Sequence, residues 1–330
     1  MPRNRGTRNA REGAGKSLAR QSVNKLISVN FYLLGDCNAQ CVFCFAHLTR
    51  ERLPLAKARS LIKVLRDEGT EKITFAGGEP TLHPNLGELV QYSQELGLVT
   101  SLVTNGYRLE ELLQAKVVPD WVGFSVDSAE EDTLRRLGRS RGEYLPRTVR
   151  LVDMCHSLGV RVKVNTVVTS ETQQEDMTAL ILRLAPERWK IFQMLPIQGR
   201  NDPVVDRLEV SDSDFWGFVR RHLEADLPGI SVVPEDNDTM SNSYVLVDPL
   251  GRFYSNTRWP HEYSAPILEV GAQTALRQVD FDHDKFERRG GLYEWGVGRG
   301  QSTNTCVSRE PAVRQVPVYK WPRRRRVGRR

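Results

Sequence analysis

Three cysteines lie within eight residues of a 330-residue chain that holds only five cysteines in all. Cys37, Cys41 and Cys44 form the pattern C-x3-C-x2-C, directly after an apolar run. Clustered thiols without a disulfide framework indicate a metal site. Two sites fit the spacing. One is a zinc ion that takes His47 as its fourth ligand, and the other is a four-iron, four-sulfur cluster held by three thiolates.

The two sites differ in what they leave open. An iron without a protein ligand can bind the amino and carboxylate groups of a small molecule and pass it an electron, which a closed zinc site cannot do. The position of the loop favours the cluster, because the loops that follow the strands of a β/α repeat form its catalytic face. Cys155, on a predicted helix, is expected to be a core residue.

Six β/α units are predicted between residues 24 and 198. Short strand-like runs alternate there with amphipathic helical stretches, which implies right-handed crossovers and a parallel sheet, either open or closed into a complete or partial barrel. After residue 198 the pattern changes to a serine-capped helix (211–224), a hairpin (244–255) and a last amphipathic stretch within 266–289. We therefore expect an α/β repeat domain followed by a C-terminal extension.

The net charge of +6 conceals an uneven distribution. Residues 1–21 and 299–330 together carry +14, so the residues between them carry about −8. Such basic tails are expected to be solvated, disordered extensions, with a nucleic-acid contact as the alternative. No apolar run is long enough for a membrane span, and the first twenty residues are too basic for a signal peptide. These features predict a cytoplasmic protein.

The cysteine pattern and a second motif together resemble the radical S-adenosylmethionine (SAM) superfamily. Phe43 supplies the aromatic residue of C-x3-C-x-aromatic-C, and Gly77-Gly78-Glu79-Pro80 ends the next predicted strand. The resemblance implies one [4Fe-4S] cluster on the three cysteines, with SAM at the fourth iron. It also implies the fold, a partial (β/α)6 TIM-like barrel of the radical SAM type, followed by a C-terminal extension that contains a β-hairpin and helices.

The resemblance also implies which residues line the SAM pocket. The expected cofactor-binding residues are Phe43, Gly77, Gly78, Glu79, Ser125 and Asn165. From the residues alone, Ser125 and Asn165 could equally be capping or turn residues.

Longer stretches, among them EKITFAGGEP, VKVNTVV, ERWKIFQMLPIQG, PEDN and KFERRGGLYEW, are similar to the viperin family, over roughly residues 25–297. This similarity implies a hydro-lyase that converts CTP, UTP or GTP to the 3′-deoxy-3′,4′-didehydro chain terminator, in antiviral (anti-phage) defence. It implies Tyr244 as the catalytic residue and five cations as triphosphate ligands. These are Lys72, Arg139, Lys163, Arg188 and Lys190.

The acidic middle of the chain gives a physical reason for those cations, because a triphosphate needs placed positive charges, which we expect where the strands end. The expected organisation is a tail (1–22), a radical SAM partial barrel (23–198), an extension that completes the nucleotide site (199–298) and a second tail (299–330). The protein is expected to be a monomer that uses an external one-electron reductant. The alternatives are a radical SAM enzyme for another phosphorylated or peptide substrate, and a zinc-stabilised nucleic-acid-binding protein.

Overall fold

The computed structural model describes residues 26–44, 46, 49–197, 201–257 and 260–296. The basic tails, His47 and Cys306 lie outside these residues, so the expectations about them stay predictions.

Six β/α units follow one another through the first part of the described chain, and each strand pairs in parallel with the next. The strands are β1 (Ser28–Tyr32), β2 (Lys72–Ala76), β3 (Val99–Thr104), β4 (Trp121–Ser125), β5 (Arg161–Val168) and β6 (Arg188–Gln193). The helices are α1 (Leu55–Asp67), α2 (Leu86–Glu95), α3 (Leu109–Gln114), α4 (Glu131–Arg136), α5 (Tyr144–Ser157) and α6 (Thr178–Leu184). A single 3-10 turn, Pro80–Leu82, follows β2. The predicted repeat is confirmed.

The burial of these elements explains the sequence pattern. All five residues of β2 are buried, because one face of the strand packs under the helices and the other faces the inside of the barrel. Helix α1 buries Ala58, Leu61, Ile62 and Leu65, the apolar stripe that its 3.6-residue period predicts. Cys155 is fully buried in the core, as expected.

The C-terminal extension adds strands to both edges of the same sheet. Strand β7 (Ser231–Glu235) pairs in parallel with β6, while β8 (Val245–Val247) pairs in parallel with β1 and antiparallel with β9 (Arg252–Ser255). Strand β10 (Glu262–Pro266) pairs with β9. The hairpin of β8 and β9 was predicted, whereas β7, β10 and the pairing of β8 with β1 were not.

The remaining helices surround these strands. They are α7 (Asp202–Leu208), α8 (Asp212–Leu223), α9 (Asn237–Met240), α10 (Ile267–Val270), α11 (Ala272–Leu276) and α12 (His283–Arg288). The predicted amphipathic stretch within 266–289 is therefore three short helices.

The ten strands form one sheet in the order β10-β9-β8-β1-β2-β3-β4-β5-β6-β7. The two end strands, β10 and β7, are not bonded to each other, so the barrel stays partial, as predicted. No helix in the described part of the chain is long and apolar enough to span a bilayer.

Candidate active site

One cavity of about 340 Å³ lies inside the barrel, and we call it the barrel cavity. Its lining includes all fifteen residues that the sequence analysis assigned to the cluster, to SAM, to the phosphates or to catalysis. They range along the chain from Cys37 to Tyr244, so the fold brings them together. Their individual roles stay predictions.

The cysteine loop, residues 35–44, is docked onto the turn after α4. Gln40 N donates a hydrogen bond to Gly138 O at 3.0 Å, and Val42 N donates to Leu137 O at 3.1 Å. Gly138 has a φ of +75°, and a Cβ there would lie 2.1 Å from Gln40 O. Only glycine fits this close approach, so the turn after α4 sets the position of the loop.

The three thiols of the loop line the barrel cavity, and they differ in how deeply they are buried. Cys37 is exposed, whereas Cys41 and Cys44 are partly buried. Burial raises the pKa of Cys41 to about 12 and also raises the pKa of Cys37. Because the thiolate is the form that binds a metal, binding here displaces protons.

The Gly-Gly-Glu-Pro turn after β2 packs against the backbone that leads into the cysteine loop. Gly78 N donates to Leu34 O, and Glu79 N donates to Asp36 O, both at 2.8 Å. A Cβ on Gly78 would lie 2.0 Å from Asp36 O, and a Cβ on Gly77 would lie 2.6 Å from Leu34 O. Both glycines are therefore required by the contact between the two loops.

Glu79 ties the ends of β2 and β3 together from a buried position, with 1% of its surface exposed. Its carboxylate accepts hydrogen bonds from Thr81 N at 3.0 Å, Thr81 Oγ1 at 2.6 Å, Thr104 Oγ1 at 2.5 Å and Asn105 N at 2.8 Å. Burial raises the pKa of Glu79, and these four donors offset part of that rise. The carboxylate is thus fixed in place by the protein alone.

Ser125 and Asn165 lie side by side, as register partners on β4 and β5, in the wall of the barrel cavity. Arg139 also lies at this end. Its Nε donates to Asp127 Oδ2 at 2.7 Å, and its guanidinium carbon lies 5.9 Å from the centre of the Phe43 ring. Arg139 is therefore already paired with a carboxylate beside the cysteine loop, apart from the other four predicted phosphate ligands.

The other four cations lie toward the opposite end of the strands. Lys72 and Arg188 are the first residues of β2 and β6, and Lys163 is the register partner of Arg188 on β5. Lys190 follows Arg188 on the same face of β6. We expected the cations where the strands end, and this was wrong. Because the strands run in parallel, their first residues lie at the end of the barrel away from the cysteine loop.

Lys72, Lys163 and Arg188 are buried, with exposed fractions of 4%, 6% and 8%. Burial, and after it the neighbouring cations, lowers the pKa of Lys72 well below its usual value and the pKa of Lys163 to about 8. Among the described residues, no carboxylate forms an ion pair with any of the three. We call these three residues the cation cluster, and no described carboxylate lies close enough to pair with it.

Tyr293 occupies the centre of the cation cluster. Its hydroxyl accepts hydrogen bonds from Lys72 Nζ and, at 3.5 Å, from Lys163 Nζ. The guanidinium carbon of Arg188 lies 4.2 Å from the centre of the Tyr293 ring, a cation–π contact. One neutral side chain thus supplies an acceptor to both lysines, and Lys163 Nζ also donates to Ser101 Oγ at 3.3 Å.

The chain after α12 closes this end of the barrel. Arg188 Nη2 donates to Gly290 O at 2.8 Å, and Trp121 Nε1 donates to Trp295 O at 2.9 Å. The rings of Trp121 and Tyr293 pack edge to face, 5.7 Å apart. The segment KFERRGGLYEW was quoted for its family resemblance, but nothing in its local pattern predicted that Tyr293 enters the site.

Lys190 and Tyr244 belong to a second polar group in the barrel cavity. Lys190 Nζ donates to the Tyr244 hydroxyl at 2.7 Å and forms an ion pair with Glu235 Oε1 at 2.5 Å. Burial lowers the pKa of Lys190 to about 7, although Glu235 opposes this effect. Arg289 lies over the Tyr244 ring, 3.7 Å from its centre. The sequence analysis did not single out Glu235 or Arg289.

Residues 32–184 match the Radical SAM superfamily. Proteins called S-adenosylmethionine-dependent nucleotide dehydratase are similar over most of this chain. The one from Flammeovirga pacifica is 38% identical over 293 residues, which cover 83% of this chain and 100% of that protein. The chain belongs to this family of radical SAM enzymes. The superfamily predicted from the two motifs and the family predicted from the longer stretches are both confirmed.

A second family member, from Lacinutrix mariniflava, is also 38% identical, over 85% of this chain, and this chain spans 61% of that relative's length. Among solved structures, Streptococcus suis SuiB bound to S-adenosylmethionine superposes with a TM-score of 0.61 at 15% identity, over 80% of this chain and 67% of that one. This likeness confirms the predicted fold class.

Membership of the radical SAM superfamily implies a [4Fe-4S] cluster and SAM. The cysteine end of the barrel cavity fits these groups. It brings three thiols to one face of the cavity. Next to these thiols, Gly77 and Gly78 pack so closely on the backbone of Leu34 and Asp36 that neither could carry a side chain. This end of the cavity also holds a carboxylate, Glu79, in a fixed position near the loop.

Proposed function

We propose that this protein is a radical SAM nucleotide dehydratase, which removes water from CTP, UTP or GTP to form the 3′-deoxy-3′,4′-didehydro nucleotide. The observation that carries the proposal is the barrel cavity itself, which has thiols at one end and the cation cluster at the other. A nucleoside triphosphate has the matching shape, since all its negative charge lies at one end. The relatives are named nucleotide dehydratases, which supports the removal of water from a nucleotide.

The dimensions of the barrel support this orientation. Strand β2 separates Lys72 from Gly77, and a five-residue strand spans about 16 Å. An extended nucleotide with its phosphates at the cation cluster would therefore have its ribose deep in the barrel, toward the cysteine loop. Lys72, Lys163, Arg188 and Lys190 would bind the phosphates, and Arg139, which is paired with Asp127, would instead support the cofactor end.

At that end, Cys37, Cys41 and Cys44 would hold the cluster, with Phe43, Gly77, Gly78, Glu79, Ser125 and Asn165 around SAM. When bound, the cluster and SAM supply a carbon-centred radical that removes a hydrogen atom from the ribose. The protein's own part is to align the ribose with that radical, to exclude water and to supply an electron at Tyr244. Residues 199–298 complete the site, because Tyr244, Glu235 and Tyr293 all come from this extension.

A product of this kind has no 3′-hydroxyl group, so a polymerase that incorporates it cannot add the next nucleotide. This chemistry supports a role in antiviral defence. The other enzyme candidate, a radical SAM reaction on a peptide, is less well supported because a peptide does not need three buried cations that have no ion-pair partner in the described part of the chain.

The test is anaerobic incubation of the reduced, cluster-loaded protein with SAM and, separately, CTP, UTP, GTP and ATP, followed by mass spectrometry. We expect at least one nucleotide to give a product lighter by one water, together with 5′-deoxyadenosine. A Cys41→Ala variant serves as the control without a complete cluster. Formation of 5′-deoxyadenosine without any dehydrated nucleotide would refute the proposed reaction.

A further inference from the structure

Glu235, the last residue of β7, is fully buried beside the barrel cavity. Its carboxylate meets three groups from different parts of the chain. Lys190 Nζ lies 2.5 Å from Oε1, Arg289 Nη1 lies 3.5 Å from the same oxygen, and the Tyr244 hydroxyl donates a hydrogen bond to Oε2. Two cations and one phenol therefore surround this carboxylate, and together they determine its protonation state.

Burial alone would raise the pKa of Glu235, but Lys190 and Arg289 outweigh burial and hold it below its usual value. Burial and the negative charge of Glu235 raise the pKa of Tyr244 well above its usual value. At neutral pH the pair is therefore a carboxylate and a neutral phenol. The phenol must be the donor, because an ionised carboxylate can only accept.

This arrangement decides where the phenolic proton can go. The hydroxyl hydrogen of Tyr244 points to Glu235, and the phenol oxygen accepts from Lys190 at 2.7 Å. The hydrogen is therefore not directed into the barrel cavity. A phenol that loses an electron becomes a very strong acid, so its proton moves to whichever base already holds the hydrogen bond.

We propose that Glu235 takes the phenolic proton of Tyr244 when Tyr244 passes an electron to the substrate, a step that rests on the proposed function. The nucleotide has by then lost one hydrogen atom, and its hydroxyl has left as water with one solvent proton. It is one electron short of the product. Tyr244 supplies that electron, its O–H bond breaks, and the proton forms an O–H bond on Glu235.

The step leaves a neutral tyrosyl radical beside a neutral carboxyl group. An external one-electron reductant then returns the electron to Tyr244, and Glu235 returns the proton. Lys190, Arg289 and, farther away, Arg188 are the charged groups around the pair. Before the step, Lys190 and Arg289 keep the carboxylate ionised, so that it can accept the proton. When the electron leaves, the net charge of the pair changes from −1 to zero, because the proton only moves from Tyr244 to Glu235.

The test uses Glu235→Gln in the reduced, cluster-loaded protein with SAM and the nucleotide that the wild type dehydrates. Glutamine keeps the size of the side chain and a hydrogen-bonding oxygen, but it cannot take up the proton. We expect 5′-deoxyadenosine within twofold of the wild type and at least a tenfold lower ratio of dehydrated nucleotide to 5′-deoxyadenosine. Glu175→Gln is the matched control, since Glu175 is a hydrogen-bonded carboxylate outside the barrel cavity.

A double-mutant cycle separates this role from a structural one. If Glu235 acts through Tyr244, E235Q lowers the ratio no further in a Tyr244→Phe background; an additive loss would overturn the proposal. Glu235→Asp keeps the charge but withdraws the carboxylate from the phenol by one methylene, so it should lower the ratio less than E235Q does. It takes the place of E235Q in the cycle if the glutamine variant does not fold.

The outcomes distinguish this inference from the proposed function. A wild type that makes dehydrated nucleotide, with an unchanged ratio in E235Q or E235D, overturns the role of Glu235 and leaves the dehydratase reaction standing. Parallel loss of nucleotide product and 5′-deoxyadenosine also overturns it, because the defect then precedes the electron transfer. A wild type without dehydrated product overturns the proposed function itself.

Discussion

The two ends of the barrel cavity are built on opposite electrostatic principles. At the cysteine end, the charged side chains Glu79 and Arg139 have partners within the protein, namely the four donors around Glu79 and the ion pair of Arg139 with Asp127. At the other end, Lys72, Lys163 and Arg188 are buried together without an ion-pair partner among the described residues. The charges of the first end are paired within the protein, whereas the described residues supply no ion-pair partner to the cations of the second.

The buried cations affect both the stability of the folded protein and the kind of substrate that it binds. Buried like charges lower one another's affinity for protons, so the cation cluster is costly to the folded protein until an anion binds. A triphosphate would remove that cost and bind strongly, while the same cost would disfavour a neutral substrate. The four predictions below alter one end at a time, and each shows whether the two ends are as independent as the structure indicates.

The largest expected effect is on the cysteine end, from Gly78→Ala. The added Cβ would lie 2.0 Å from Asp36 O, so the backbone leading into the cysteine loop must move. We expect almost complete loss of iron loading, measured as iron per protein and as visible absorbance. Gly217→Ala is the control, because a Cβ at Gly217 meets nothing within 4 Å. Normal loading of G78A would show that the two loops do not depend on each other.

The next effect is on the cation end, from Lys163→Met. A charged hydrogen bond contributes roughly 1.5–3 kcal/mol, so nucleoside triphosphate affinity should fall about 10- to 100-fold. Iron loading and SAM binding should stay as in the wild type. Lys57→Met, on the exposed face of α1, is the matched control. If SAM binding fell together with nucleotide binding, the two ends would not be separate sites.

The pH dependence of binding tests the charge state of the cation end. In the free protein, burial lowers the pKa of Lys190 to about 7 and that of Lys163 to about 8, so both lose protons as the pH rises through this range. A triphosphate favours the charged lysines, so its binding takes up protons. We expect affinity to fall by up to about tenfold from pH 7 to pH 8.

Calorimetry in buffers of different ionisation enthalpy measures that proton uptake directly. The K163M variant should take up fewer protons than the wild type at the same pH. Binding that strengthens with pH, or that releases protons, would contradict the charge states derived from the structure.

The smallest effect is expected from Tyr293→Phe. Its hydroxyl is the acceptor for Lys72 and Lys163, so its removal leaves two buried donors without that partner. We expect the free energy of unfolding to fall by about 1 kcal/mol, measured by denaturant titration, with little loss of triphosphate affinity. Tyr107→Phe, at an exposed tyrosine, is the control. A loss of nucleotide affinity as large as that of K163M would make Tyr293 a substrate ligand.

The same contrast explains what the sequence could predict. The cysteine motif and the Gly-Gly-Glu-Pro turn are local patterns. Each can be recognised from the spacing of a few neighbouring residues. Glu235 and Tyr293 reach the site through pairings that no local pattern encodes. Strand β7 carries Pro234 and lies at a sheet edge, which weakens the usual signal for a strand.

The error about the cations has a related cause. Lys72 and Arg188 were correctly predicted to face the same cavity as the cysteines, but the predicted end of the barrel was wrong. The expectation came from a general rule, that the loops after the strands form the catalytic face of a β/α repeat, and not from a shifted strand boundary. Lys72 begins β2 and Gly77 follows its last residue, so the two lie about 16 Å apart along the strand.

The most direct test of the two-ended cavity is to vary the phosphates alone. Anaerobic reactions of the cluster-loaded protein with SAM are compared for the preferred nucleoside triphosphate, its diphosphate, its monophosphate and the free nucleoside, by quantifying dehydrated product and binding affinity for each. We predict that both fall with every phosphate removed, and that the nucleoside is inert although SAM still binds. A nucleoside processed as well as its triphosphate would contradict the assignment of the cation cluster.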